Sequence, residues 1–160
     1  MKTLFAFALL LLPAAAAAQE APVPDAAWHN AQMLALLDLR SEDGWRVAAS
    51  GLRYRQVASG QPDAPRPAAT DTVTIHYVGT FIDGREFDSS VGRGEPATFP
   101  LPRLIRGWQE GVPLMAVGDR FEFAIPDQLA YGPRGRGPIP GGATLLFTIE
   151  LLGVAGPSGE

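Results

Sequence analysis

The segment HYVGTFIDGREFDSS, His76 to Ser90, holds Tyr77, Phe81 and Phe87 with one aspartate, Asp88, directly after the last aromatic, and offers no activated nucleophile. A further aromatic, Tyr131, stands in DQLAYGPRGRGPIPGG, where glycines and prolines forbid regular structure and core packing does not explain it. Such residues suit binding of an apolar group. They do not suit covalent or redox chemistry. The two histidines, His29 and His76, lie in different segments with no HExxH and no cluster of acidic or histidine ligands, so no metal is expected. No GxSxG elbow, Walker loop or complete GxGxxG occurs, and GPRGRGP shares with a phosphate-binding loop only its glycines and arginines. It reads as an irregular wall with solvated charges. Asp83, Glu86, Asp119 and Glu122 fall at turns or outward strand positions, which leaves Asp88 without a second carboxylate for acid/base work. No cofactor is expected.

These side chains need a sheet to hold them. Val73, Ile75, Tyr77, Gly79 and Phe81 alternate with Thr72, Thr74, His76, Val78 and Thr80, the period of a half-buried strand. Asp83-Gly84 predicts a type I′ hairpin turn, with Arg85 to Asp88 returning from it. SGLRYRQVASG predicts a strand, and DRFEFAIP and TLLFTIELL predict two more, each with its large apolar residues on one face. Between them, LIRGWQEGVPLM spaces Trp108 and Val112 at i,i+4 on one short helix that Pro113 prevents from running on. VGRGEPATFPLP and QPDAPRPAAT read as loops. The fold class is α+β, a mostly antiparallel sheet burying one short helix.

At 160 residues the chain predicts one domain. Lys2, an apolar run from Leu4 to Leu12 and an Ala-rich end predict a signal peptide over residues 1–18, cleaved after Ala18. The run is shorter than the roughly 20 residues a membrane helix needs. With no cysteine to carry a disulfide or a lipid anchor, the expected location is the periplasm, or the medium as the alternative, without membrane attachment. Removing Lys2, the only lysine, takes the formal charge from -4 to -5, a poor match to nucleic acid. Residues 19–49 form an N-terminal extension. In it, Asp25 caps a helix over about 26–39, and a stripe of Trp28, Ala31, Ala35 and Leu39, joined by Leu34 and Leu37, packs on the main domain or on a second copy. Monomer and weak homodimer both stay open. The main domain is expected over 50–153, followed by a disordered tail over 154–160.

Four blocks, HYVGTFIDGREFDSS, LIRGWQEGVPLMAVGDR, IPDQLAYG and IPGGATLLFTIELL, occur in an order and spacing that closely resemble the FKBP-type peptidyl-prolyl cis/trans isomerases. The resemblance spans about Ser50 to Gly153. It implies a strongly twisted sheet wrapped around the short helix, and a pocket for a proline ring made by Tyr77, Phe87, Asp88, Leu104, Ile105, Trp108, Tyr131, Ile139 and Phe147. By the same resemblance Trp108 is the floor and Tyr77, Phe87 and Phe147 are walls. By that resemblance too, the Ile105 N–H and the Tyr131 hydroxyl bond substrate carbonyls, and Asp88 at the edge orients a partner, the Tyr131 hydroxyl or a twisted carbonyl, rather than transferring a proton. Phe87, Asp88, Ile105 and Tyr131 are thus the implied catalytic set. The implied substrates are proline-containing, unfolded or partly folded exported polypeptides, with macrolides as implied inhibitors.

An Xaa-Pro bond isomerises over a barrier of about 20 kcal/mol, because its C–N bond must lose partial double-bond character, and takes tens to hundreds of seconds unaided. No covalent bond breaks, so the enzyme need only bind the twisted amide better than the planar one. Ala97 stands where small cytosolic relatives carry an aromatic, which should weaken macrolides more than catalysis. Gly141-Gly142 and the pair Pro100 and Pro102 are further departures, expected to loosen one loop tip and to shift the approach to the helix. The rival reading is a non-enzymatic chaperone or peptide-binding module on the same fold.

Overall fold

The computed structural model describes residues 24–157; the expected signal peptide and the last three residues lie outside them. Among the described residues, seven antiparallel strands form one sheet: β1 (Arg46–Val47), β2 (Arg53–Ala58), β3 (Asp71–Thr80), β4 (Glu86–Ser89), β5 (Ala97–Pro100), β6 (Arg120–Ile125) and β7 (Leu145–Pro157). Their order is β1-β2-β6-β7-β3-β4, and β5 also pairs with β3, beside its N-terminal half. The helices are α1 (Ala26–Leu37), the single turn α2 (Ser90–Arg93) and α3 (Arg106–Gly111), which passes at Val112 into a 3-10 turn where Pro113 ends the α geometry. β7 continues to Pro157, so 154–157 is strand where a disordered tail was expected.

The alternation read in β3 is realised: Val73, Ile75 and Tyr77 are buried, with the intervening residues half-exposed. β6 turns Phe121, Phe123 and Ile125 to the same side, and β7 adds Leu145, Phe147, Ile149 and Leu151. The helix α3 lies on this face. A Cβ on Gly107 would come within 2.5 Å of Ile125, and one on Gly111 within 2.6 Å of Phe123, so two glycines one turn apart let the helix backbone sit directly on β6. Trp108, between them, is thereby pressed into the core.

Two expectations are corrected. The Asp83-Gly84 turn is not type I′, because Asp83 has negative φ and only Gly84 is left-handed, at +83°. Gly84 N–H bonds Phe81 C=O and Phe81 N–H bonds Arg85 C=O, which makes a longer loop ending in a glycine bulge. Asp83 gains more this way: its carboxylate accepts from Arg85 N–H at 3.0 Å and from Arg85 Nε at 2.8 Å. The segment VGRGEPATFPLP is likewise not a plain loop. Ser89 Oγ accepts from Gly92 N–H at 2.9 Å and Gly94 closes the turn at φ +78°, which sets α2, and β5 follows.

The N-terminal extension packs on its own domain. Asp25 caps α1 by accepting from Trp28 N–H at 2.7 Å, as expected. Trp28 Nε1 donates to Gly141 C=O at 3.2 Å, and the buried Gln32 Oε1 accepts from Thr144 N–H at 2.9 Å. Trp28, Ala35 and Leu39 of the predicted stripe are half-buried, whereas Ala31, Leu34 and Leu37 face outward. Beyond the helix the chain crosses to the outer face of the sheet. There Trp45 is buried beneath the Arg55 guanidinium, 5.0 Å from the ring centre, and Arg55 pairs with Glu122 at 2.7 Å. No helix among the described residues is long and apolar enough to cross a membrane.

Candidate active site

Between α3 and the concave face of the sheet opens a groove of about 580 Å³, within the range of small-ligand sites. Of the nine expected pocket residues, Tyr77, Phe87, Asp88, Leu104, Ile105, Trp108, Tyr131 and Phe147 line it. Ile139 does not; it is buried among the core residues. Phe99 lines it without having been expected, because the strand that carries it was read as loop. The legible signal was the alternation across Ala97-Thr98-Phe99: Thr98 points out to meet Thr74 Oγ1 at 3.0 Å while its neighbours are half-buried.

The floor and walls meet edge to face. Trp108 stands 5.1 Å from Phe147 at 83° and 5.3 Å from Tyr77 at 80°, and Phe87 meets Phe147 at 5.6 Å and 89°. Phe99 reaches Trp108 at 6.2 Å. These are the arrangements that ring quadrupoles favour. They depend on Gly79, since a Cβ there would come within 2.7 Å of both Phe87 and Phe147. The result is a rigid apolar wall.

Polar groups sit at its edge. Tyr77 donates its hydroxyl to Asp88 Oδ2 at 2.5 Å, Arg93 Nη1 donates to Asp88 Oδ1 at 2.5 Å, and Arg93 Nη2 donates to the Tyr77 hydroxyl at 3.0 Å. Asp88 thus bonds Tyr77 and Arg93; no bond joins it to Tyr131, the partner suggested from sequence. Partial burial raises the Asp88 carboxyl, but the bonds from Tyr77 and Arg93 outweigh it and hold the group below its ordinary value. Burial and the bond to Asp88 push the Tyr77 hydroxyl up. Hydrogen bonds to Tyr77 and Asp88 raise Arg93. Sequence reasoning missed Arg93, whose signal was the Ser89 cap and Gly94 stop bracketing one helical turn. The Tyr77 backbone is fixed by Ser90, a fully buried residue whose hydroxyl accepts from Tyr77 N–H at 2.8 Å and contacts His76 Nδ1 at 3.0 Å. That hydroxyl is structural.

Two donors remain open. Ile105 precedes α3 with extended backbone, and its N–H meets no acceptor among the described residues, while its C=O takes the N–H groups of Trp108 and Gln109. The Tyr131 hydroxyl likewise has no partner among them. Among the described residues there is no cluster of three metal-ligating side chains. The arrangement can enclose a small apolar ring, exclude water from it and offer donors to carbonyl oxygens nearby.

Fold and pocket together define an apolar groove with open donors at its edge, and the sequence assigns the class. The family described as FKBP-type peptidyl-prolyl cis-trans isomerase matches residues 64–152, more than half of the chain. This chain belongs to that family. A relative from Aeromonas hydrophila, FKBP-type peptidyl-prolyl cis-trans isomerase FkpA, is 50% identical over 119 residues, covering 74% of this chain and 44% of the relative. The FKBP-type 22 kDa peptidyl-prolyl cis-trans isomerase of Escherichia coli is 49% identical over 69% of this chain and 53% of its own length. The chain therefore spans about half the length of these curated relatives. Among solved structures, a peptidyl-prolyl cis-trans isomerase of Pseudomonas syringae aligns at TM-score 0.75 with 30% identity, covering 84% of this chain and 98% of that one. FkpA of Escherichia coli aligns at TM-score 0.73 with 36% identity, covering 81% and 62%.

Proposed function

We propose that the protein accelerates cis/trans isomerisation of Xaa-Pro bonds in polypeptides that are not yet folded, acting as a rotamase in the cell envelope. The carrying observation is the groove itself: an aromatic floor and walls, with the Ile105 N–H and the Tyr131 hydroxyl unpaired beside them. A planar prolyl amide has separated charge that water stabilises, and twisting reduces that charge. A dry aromatic wall favours the twisted form. The Ile105 N–H and the Tyr131 hydroxyl hold flanking carbonyls in position. Asp88, tied to Tyr77 and Arg93, moves no proton; it fixes the Tyr77 wall.

All of these groups come from one chain, so a monomer suffices, and a weak homodimer through the exposed Met33, Leu34 and Leu37 would leave the groove intact. The exported location rests on the signal-like N-terminus and on relatives from Gram-negative bacteria, one of them, from Legionella longbeachae, named outer membrane protein MIP. Half-exposed Ala97 stands on β5, two residues from Phe99, and with a small side chain there bulky macrolides lose contact area while a proline ring does not.

The test is the cis-to-trans rate of a Leu-Pro-Phe peptide, with Tyr131→Phe alongside. Loss of one hydrogen bond to the substrate should lower kcat/KM about three- to tenfold, with thermal stability retained. A folded protein giving no acceleration would leave only the peptide-binding reading.

A further inference from the structure

The rim of the groove carries three arginines that no carboxylate engages. Arg103 lies in the turn before α3, Arg106 opens α3, and Arg136 lies in the loop after Tyr131; all three line the groove and are exposed. Away from the groove, Arg40, Arg55, Arg85 and Arg120 each pair with a carboxylate, while Arg46, Arg53, Arg66 and Arg134 form no ion pair among the described residues. None of the three rim side chains makes an ion pair or hydrogen bond among the described residues. Among the described residues Asp88 is the only carboxylate lining the groove, and Arg93 already pairs with it at 2.5 Å. A chain whose formal charge is -4 thus places unpaired positive charge on the rim of this aromatic groove.

Placement makes this charge act on substrate. Arg103 and Arg106 bracket Leu104 and Ile105 in sequence, so they flank the open Ile105 N–H, and Arg136 stands five residues beyond Tyr131. A peptide that seats a proline ring on Trp108 and gives carbonyls to Ile105 and Tyr131 must lay its neighbouring residues over this rim. Extended chain advances about 3.3 Å per residue, which keeps a side chain one or two positions from the proline within about a Debye length at 0.1 M salt.

We propose that the groove selects prolyl segments with a glutamate or aspartate within two residues of the proline. The inference rests on the isomerase reading and specifies its substrate class. It also gives a role to Arg136 of GPRGRGP, a segment that otherwise reads as a solvated surface.

The experiment compares peptides differing at one position, Glu, Gln or Lys before the proline and the same set after it, with Leu-Pro as reference. Turnover and affinity are both measured, at 0.1 M and 1 M NaCl. At the lower salt kcat/KM should be about three- to tenfold higher for Glu than for Gln, on at least one side, and lowest for Lys. The Glu/Gln ratio should approach one at 1 M, where the screening length is about 3 Å, and in Arg103→Gln/Arg136→Gln. Equal or poorer use of Glu by a protein that turns over Leu-Pro overturns the proposal and leaves the isomerase reading standing. No turnover of any peptide, with tighter binding of Glu than Gln peptides, sinks the isomerase reading and upholds the selection.

Discussion

A carboxylate held by a tyrosine hydroxyl and a guanidinium is a poor base, and this decides how the site responds to pH. Asp88 is lowered from its ordinary value, and Tyr77 and Arg93 are raised from theirs, so the first stays ionised and the other two stay protonated across neutrality. Peptide kcat/KM should therefore be flat from about pH 6 to 8, and a bell-shaped profile there would exclude the mechanism. The stability linked to Asp88 has a definite sign. With the folded value depressed, it is fully present above the ordinary carboxylate range, near 3.9, and lost as pH falls through the folded value. Both partners of the Asp88–Arg93 pair are 46% exposed, so screening keeps that contribution small. Asp88→Ala should then separate the two readouts. Freeing the Tyr77 ring should lower kcat/KM on the order of tenfold, while Tm falls by no more than about 4 °C.

Elements are placed here by close backbone approach as much as by apolar pattern. Gly111→Ala would drive a methyl into the Phe123 ring and should cost about 1–3 kcal/mol, read as a lower denaturant midpoint at unchanged slope. Gln32→Leu keeps volume but leaves the buried Thr144 N–H without its acceptor, an expected loss of about 1–3 kcal/mol in the same measurement. Periodicity made β3, β6, β7 and the short central helix legible, because each buries one face and its apolar residues recur accordingly. The α2 turn and β5 were not legible. Both are four residues long, too short for a period to register, and are set by capping and by pairing with β3. Their invisibility hid Arg93 and Phe99, whereas Tyr77 and Trp108 sit on elements with a legible pattern and Phe87 on the return strand of the Asp83-Gly84 hairpin, and the family resemblance gave all three their place in the pocket. Gln32 was missed for another reason: a polar residue on an amphipathic helix gives no sign that a backbone N–H far along the chain will need it.

Seen whole, the sheet is stitched together by its last strand. β7 lies between β6 and β3, pairing with ten residues of β3 and all six of β6, so without it the β1-β2-β6 and β3-β4-β5 groups share no ladder. A chain ending at Thr144 should show no cooperative thermal transition, whereas one ending at Pro157 should melt like the full chain. The order of synthesis then matters. A polypeptide made from its N-terminus has produced β1 to β6 before the strand that joins the two halves exists. The contacts of α1, to Gly141 and Thr144, must also wait for that end of the chain. A domain proposed to hasten the folding of others thus completes its own sheet only once β7 has been made.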